Sequence, residues 1–527
     1  MKTLLRGWGA ALLALALLPG ASHAQSIQEI RGVPQLPQVL PTDDQGYAVL
    51  YRSEAGEDGQ DVYALHLLDP ALKARHQYML SIPLGAAPLP KLAGKSSVAL
   101  PYYDQSAARL SLYTFNLQTG NHLRRDLAAL PTHQRVPSGV PLLATTPTEG
   151  YCVVQPFRRD TAGYTITMLD RDLKTQWSRM YFPTDLRQHV PLKVAVSKDV
   201  VALVLADSYV LNPNTREQRS VTDVAVLGLD RATGKVLYRS PVRQGQQVLM
   251  PEQLLALADG RVAATGLYAQ PQAPRRDSVL GVFMTYYKAD GRAGAPVLTP
   301  WAELGTRLND PALGRRLYDH QASLQFEDLL TTTGTDAKLV GQYAVAGQPG
   351  PFVVLNYAPT GALASLYPVA RTFKNPPAAN DLRNSHYRGV VGRQGEPYLV
   401  YTGTEGTQEY AYATVLAETP ARSAARAATA FEKLPELPAY TTEPPMASSP
   451  AVDRFTSKLM ALGEKMNSGI EAVNKVIPIA GPAAVPAVPT YQPDQLASFV
   501  VGPPGQALVY RYEPSRKMLR MQVQPLK

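Results

Sequence analysis

Cysteine is almost missing from this chain: Cys152 is the only one in 527 residues, so no internal disulfide can form. It sits in the apolar run Tyr151-Cys152-Val153-Val154 and reads as a buried structural thiol rather than a reactive one. Tryptophan is scarce, with Trp8, Trp177 and Trp301 making up the whole complement. Blocks of one charge are also missing. The densest basic clusters are pairs such as Arg124-Arg125, Arg158-Arg159 and Arg275-Arg276. A nucleic-acid binder concentrates its charge on one face. A dispersed basic surface is read here instead, weakly attracted to anionic envelope polymers and not directed at nucleic acid. Past the first two dozen residues no apolar run reaches spanning length without charge or proline, which excludes a transmembrane helix from the mature chain.

Sites with recognisable spacing are lacking too. There is no His-Glu-x-x-His and no Gly-x-Ser-x-Gly. His66, His76, His122, His133, His189, His320 and His386 are scattered without ligand spacing, so no metal site is read, and no cofactor. Ala93-Gly94-Lys95-Ser96 is similar to the end of a phosphate-binding loop. Leu89 stands where the first glycine of that motif belongs, so the segment reads as a turn between strands. Glu54-Ala-Gly-Glu57-Asp58-Gly59-Gln-Asp61 is the best acidic cluster. It lacks the alternating acids of a calcium loop and reads as a solvated hairpin tip. No catalytic residue can be named from the sequence.

What is present begins with a leader. Lys2 and Arg6 precede the apolar stretch Leu4–Leu18, then come Pro19-Gly20 and the small residues Ser22 and Ala24. This is the order of a secretory signal cleaved after Ala24. No cysteine follows the cleavage point, so a lipoprotein is not expected. Without Lys2 and Arg6 the 52 basic residues fall to 50 against 43 acids, a net charge of +7.

The body of the chain repeats. The clearest unit is Val224-Ala-Val-Leu-Gly-Leu-Asp230-Arg-Ala-Thr233-Gly234-Lys235-Val-Leu-Tyr238: strand, tight turn, strand. Related turns occur at Asp69–Lys73, Asn116–Gly120, Asp170–Lys174, Tyr287–Gly291, Tyr357–Gly361 and Tyr512–Arg516. Each follows an upstream strand such as Tyr47–Tyr51, Val98–Tyr103, Tyr151–Phe157, Val200–Leu205, Arg261–Tyr268 or Leu339–Val345. Shorter innermost strands precede some of these, at Val190–Val196 and from Gln253. A degenerate unit follows at Tyr398–Tyr401 and Tyr410–Leu416. The period matches a blade of four short strands, roughly 40–50 residues plus loops. The expected fold is all-β: a single β-propeller of seven or eight blades over 25–419 and 494–527. The last strands should complete the ring beside the first.

The unit 224–238 resembles a blade of the pyrroloquinoline-quinone-type β-propeller family, whose blades carry an Asp-x-x-Thr-Gly-Lys turn followed by a tryptophan. Tyr238 stands at the tryptophan position, and Trp177, after Asp170, matches in a second blade. The resemblance implies the propeller architecture. The other expected tryptophans are absent from the sequence.

Residues 420–493 break the pattern with many prolines and alanines, as an extended insertion does. Within it, Ser449-Pro450 opens a predicted amphipathic helix over 451–477. Its apolar stripe includes Phe455, Leu459, Leu462, Met466 and Ile470, the candidate interaction residues. The stripe either packs back on the propeller or docks a partner. A membrane surface fits less well, because the polar face mixes both charges.

The function expected from these features is a binding or scaffold module of a bacterial cell envelope, periplasmic, cell-surface or secreted. Its partner would be an envelope protein or a polysaccharide. The alternative is an exported propeller enzyme acting on glycans or as a quinone-type oxidoreductase. The sequence alone does not choose the ligand.

Overall fold

The apolar runs Tyr47–Tyr51 and Val200–Ala206 lie in the strands Gly46–Ala55 and Val200–Tyr209 and are buried on both faces. In the first of these, Tyr47, Val49 and Tyr51 join Leu508, Leu519 and Met521 in one core cluster. The intervening Ala48 and Leu50 join Val98, Leu100 and Phe115 in another. One strand therefore belongs to two cores, which requires a sheet on either side of it. The computed structural model describes residues 27–416 and 498–525 apart from internal segments, the longest being 210–222, 271–278 and 370–386.

Among the described residues the strands form eight antiparallel sheets. The first sheet runs Gln38–Thr42, Gly46–Ala55, Gln60–Leu68, Ala74–Pro83 in chain order, and later sheets repeat this meander. First strands of successive sheets touch, as at Leu142–Thr145 with Arg187–Val196, and Gln247–Ala256 with Ala322–Leu330. The circle closes where Ser498–Val501 meets Gln38–Thr42. This arrangement is a β-propeller.

Closure also rests on hydrogen bonds between the two ends of the chain. The N-terminal strand Ile27–Arg31 pairs antiparallel with Met518–Pro525 and becomes the outer strand of the last sheet. Val33 is fully buried there, its N–H bonds Lys517 O at 2.8 Å, and Tyr512 Oη donates to Val33 O at 2.9 Å. Arg520 Nε lies 2.9 Å from Glu29 Oε1 across the join. One correction concerns Tyr512–Arg516: it connects the second and third strands of its sheet, not the third and fourth as the other repeats do.

Neighbouring sheets are fastened by side chains of one sheet that bond the turn of the next. Tyr78 donates to Gly120 O and Arg125 to Leu173 O. Trp177 Nε1 donates to Arg231 O at 2.8 Å, and Tyr286 Oη to Ala358 O at 3.3 Å. At the third join the indole lies on Gly234, whose φ is +69°. A Cβ there would come within 2.8 Å of the Trp177 ring, so glycine supplies both the backbone conformation and the space.

Two helices interrupt the meander between the fifth and sixth sheets: α1, Trp301–Arg307, and α2, Pro311–Tyr318. Asp310 caps α2 by accepting from Leu313 N at 3.0 Å, with Pro311 as its first residue. Trp301, Leu304, Leu313 and Leu317 pack with Val282, Leu339 and Leu355, so the pair plugs the seam of its two sheets. The leader 1–24 and the predicted helix 451–477, with Phe455, Leu459, Leu462, Met466 and Ile470, lie outside the described residues.

Candidate functional site

The two ends of the ring are built differently. First-to-second and third-to-fourth strand turns share one end. Most are tight there, closed by bonds such as Leu72 N to Asp69 O and Gly234 N to Asp230 O. Second-to-third strand hairpins and sheet-to-sheet links share the other end. That end carries the connections 210–222, 270–278 and 370–386 and the α1–α2 pair. Insertions in repeat proteins gather on one face, which is often the binding face.

At this hairpin end, the seam between the first and second sheets departs from its neighbours. The seam between the third and fourth sheets is filled by Val154, Ile166, Leu203, Leu205 and Leu227. The first seam begins in the same way, with Leu65, Leu80, Leu100 and Phe115. Towards the hairpin tips it turns polar. From the first sheet come Arg52, Asp61 and Tyr63, where Arg52 Nη2 lies 2.5 Å from Asp61 Oδ1. From the second come three cross-strand rows. Tyr113 stands opposite Arg124, Ser111 opposite both Tyr102 and Asp126, and Arg109 opposite Asp104.

These groups form one continuous patch. Tyr63 and Tyr102 have ring centroids 5.8 Å apart, and Tyr102 meets Tyr113 edge-on at 6.1 Å. Arg124 lies over the Tyr113 ring at 5.2 Å and grips Asp126 through two bonds of 3.1 Å. Burial would raise the Asp126 carboxyl, but the Ser111 hydroxyl and the Arg124 guanidinium outweigh it and hold it below its ordinary range. The Ser106 hydroxyl and the Ala107 N–H lower Asp104 likewise. Burial pushes Tyr102 and Tyr113 upward, so both stay protonated. The Arg124 and Asp126 side chains are 46% and 38% exposed, so the patch opens to solvent, whereas Tyr102 is only 1% exposed.

Among the described residues, three polar atoms grouped at the floor have no hydrogen-bond partner, Tyr102 Oη, Tyr113 Oη and Arg109 Nε, whereas those of Tyr47, Tyr238 and Tyr357 occur one by one elsewhere. A buried polar atom left unsatisfied costs about 1–3 kcal/mol, so a cluster of them calls for a reason. Three guanidiniums (Arg52, Arg109, Arg124) face three carboxylates (Asp61, Asp104, Asp126), which leaves the patch without net charge. Its chemistry is stacking and hydrogen bonding.

Of the residues noted in the sequence, Asp61 and Arg124 lie in the patch and the others fall elsewhere. Asp61 of the acidic stretch is held by Arg52. Burial pushes the Cys152 thiol up to about 12, which makes it unreactive. His66 bonds Tyr51 Oη at 2.9 Å, and burial lowers its pKa. His122 stacks on Phe115, and His189 lies 3.2 Å from Arg239. Gly94 bonds Ser97 in a tight strand-to-strand turn. Among the described residues no three His, Cys, Asp or Glu side chains group as metal ligands do, and no helix is long and apolar enough to cross a membrane. The seam residues were missed. Their signal was a polar residue at every second position, Tyr102-x-Asp104 and Arg109-x-Ser111-x-Tyr113, in strands whose neighbours are apolar on both faces.

No family model matches the chain, and no curated protein matches it. Solved structures overlap it weakly. The propeller domain of the Trilobed protease from Pyrococcus furiosus is 6% identical, covers 72% of this chain and 95% of its own, and has a TM-score of 0.39. Polysaccharide lyase Uly1 is 12% identical, covers 95% of this chain and 99% of its own, at 0.37. A prolyl endopeptidase structure is 13% identical, covers 69% and 45%, at 0.36. At such identities and overlaps nothing about binding or catalysis transfers.

Proposed function

We propose that this chain is an exported bacterial β-propeller of eight blades that acts as a binding or scaffold module, meeting an envelope protein or polysaccharide at its hairpin end. The unequal ends of the ring are the observation that carries this. Tight turns fasten one end, and at the other end the flanking strands are joined by long stretches of chain. The polar seam opens at that same end. The leader Lys2–Ala24 supports export.

The experiment is loop replacement. Segments 211–221 and 271–277 are each exchanged for two-residue turns, and the secreted variant is tested for co-sedimentation with purified envelope polysaccharide and co-purification of envelope proteins. Loss of association at an unchanged melting temperature is the expected result. Unchanged association would refute a partner-binding hairpin end.

A further inference from the structure

We propose that the seam between the first and second sheets is a binding cleft for a neutral, hydroxyl-rich ligand, a saccharide without charged substituents. This rests on the hairpin end being the recognition face. The Tyr102 and Tyr113 hydroxyls each both donate and accept, and Arg109 Nε donates; all three lack a partner. A sugar hydroxyl does both and so completes all three. The Tyr63, Tyr102 and Tyr113 rings, tilted and edge-on to one another, offer apolar contact to the C–H face of a pyranose. Charge balance argues against an anionic ligand. Each guanidinium of the patch already faces a carboxylate, and Arg124 is committed to Asp126 by two bonds.

Access is through Arg124. It covers the Tyr113 ring yet is 46% exposed, so rotation of this side chain uncovers the tyrosine without moving the sheets. Asp126, 38% exposed beside it, offers carboxylate oxygens to ligand hydroxyls. The third-to-fourth seam, where Val154, Ile166, Leu203 and Leu205 pack beside Tyr164, Trp177 and Tyr181, has no such cluster of orphaned atoms among the described residues.

The test uses the mature full-length chain on an array of neutral oligosaccharides (glucose, galactose and N-acetylglucosamine oligomers) beside uronate and sulfated oligomers. Hits are followed by calorimetry. Neutral oligomers should be retained and anionic ones not. Tyr113→Phe removes one orphaned hydroxyl and no internal bond, so it should leave the melting temperature unchanged or higher. It should weaken binding roughly three- to tenfold. Arg124→Gln, at the solvent-facing mouth, provides a second variant that keeps the fold, and it should alter affinity for the same oligomers. Retention of anionic oligomers only, or of none, overturns the inference. So does wild-type affinity in both variants, which would mean that ordered water fills the orphaned sites. Should the array fail while loop replacement still abolishes partner association, the cleft is refuted and the recognition face stands. Failure of both refutes both.

Discussion

Gly234→Ala probes the fastening between the third and fourth sheets, and its cost can be worked from the structure. Gly234 holds φ at +69°, which costs an alanine about 1–2 kcal/mol. The new Cβ would stand 2.8 Å from the Trp177 ring, so the indole must move away. It then loses its 2.8 Å bond to Arg231 O, about 1 kcal/mol, and part of its contact with the turn. Trp177 is half-buried, so that contact is worth about 1 kcal/mol rather than the value of a fully buried ring. The single substitution should therefore destabilise by about 3–4 kcal/mol. With Trp177→Ala already in place the ring collision is gone and only the flexible Arg179 side chain, with its Cδ at 3.0 Å, must give, so Gly234→Ala should cost little beyond the backbone part, about 1–2 kcal/mol. The coupling is thus about 2 kcal/mol. Urea unfolding of all four proteins followed by far-ultraviolet circular dichroism measures it without relying on the tryptophan that is removed. Additivity within about 0.5 kcal/mol would refute the docking of Trp177 on this turn.

Four further outcomes are expected. Lys91, on the innermost part of the second sheet, has a pKa lowered to about 8 by burial, so the folded chain binds fewer protons than the unfolded one between about 8 and 10.5. Stability should rise with pH through that window, and Lys91→Met should flatten the melting-temperature profile and raise it at pH 7. Removing residues 25–36 strips the outer strand from the last sheet, with buried Ile30 and Val33, and should cost about 4 kcal/mol or more by urea unfolding; little change would mean that the closing strand is dispensable. Mass spectrometry of the exported chain should begin at Gln25, and intact Met1 in that fraction would contradict the signal reading. Leu459→Asp should lower the melting temperature if the 451–477 stripe covers this propeller. If the stripe docks a partner, the change should abolish that association at constant stability, and no change in either withdraws the stripe's role.

The strands and their repeat were legible because they depend on local pattern. Tyr47–Tyr51 and Val200–Leu205 are apolar at every position, and a short run buried on both faces must lie between two layers. The turns Asp69–Lys73 and Asp230–Lys235 announced themselves through side chains that bond their own backbone, as Asp230 does with Thr233 at 2.7 Å. The closing of the last strands on the first followed from the penalty of leaving sheet edges bare. The helices α1 and α2 were overlooked, because seven and eight residues are too few for a periodic signal and their stability comes from packing into a seam. Their one local mark was Asp310-Pro311.

What only tertiary structure decided is which side chains meet. Trp177 and Gly234 are far apart in the chain, and their contact exists because the third sheet stands beside the fourth. The polar seam is decided in the same way. Tyr63, Tyr102, Tyr113 and Arg124 come from four strands of two sheets, each looking like one polar residue in an otherwise ordinary strand. A sequence fixes the period with which side chains alternate. Whether a polar residue on a given face is satisfied, orphaned or open to solvent depends on the neighbouring sheet, which stacking of the repeats alone provides.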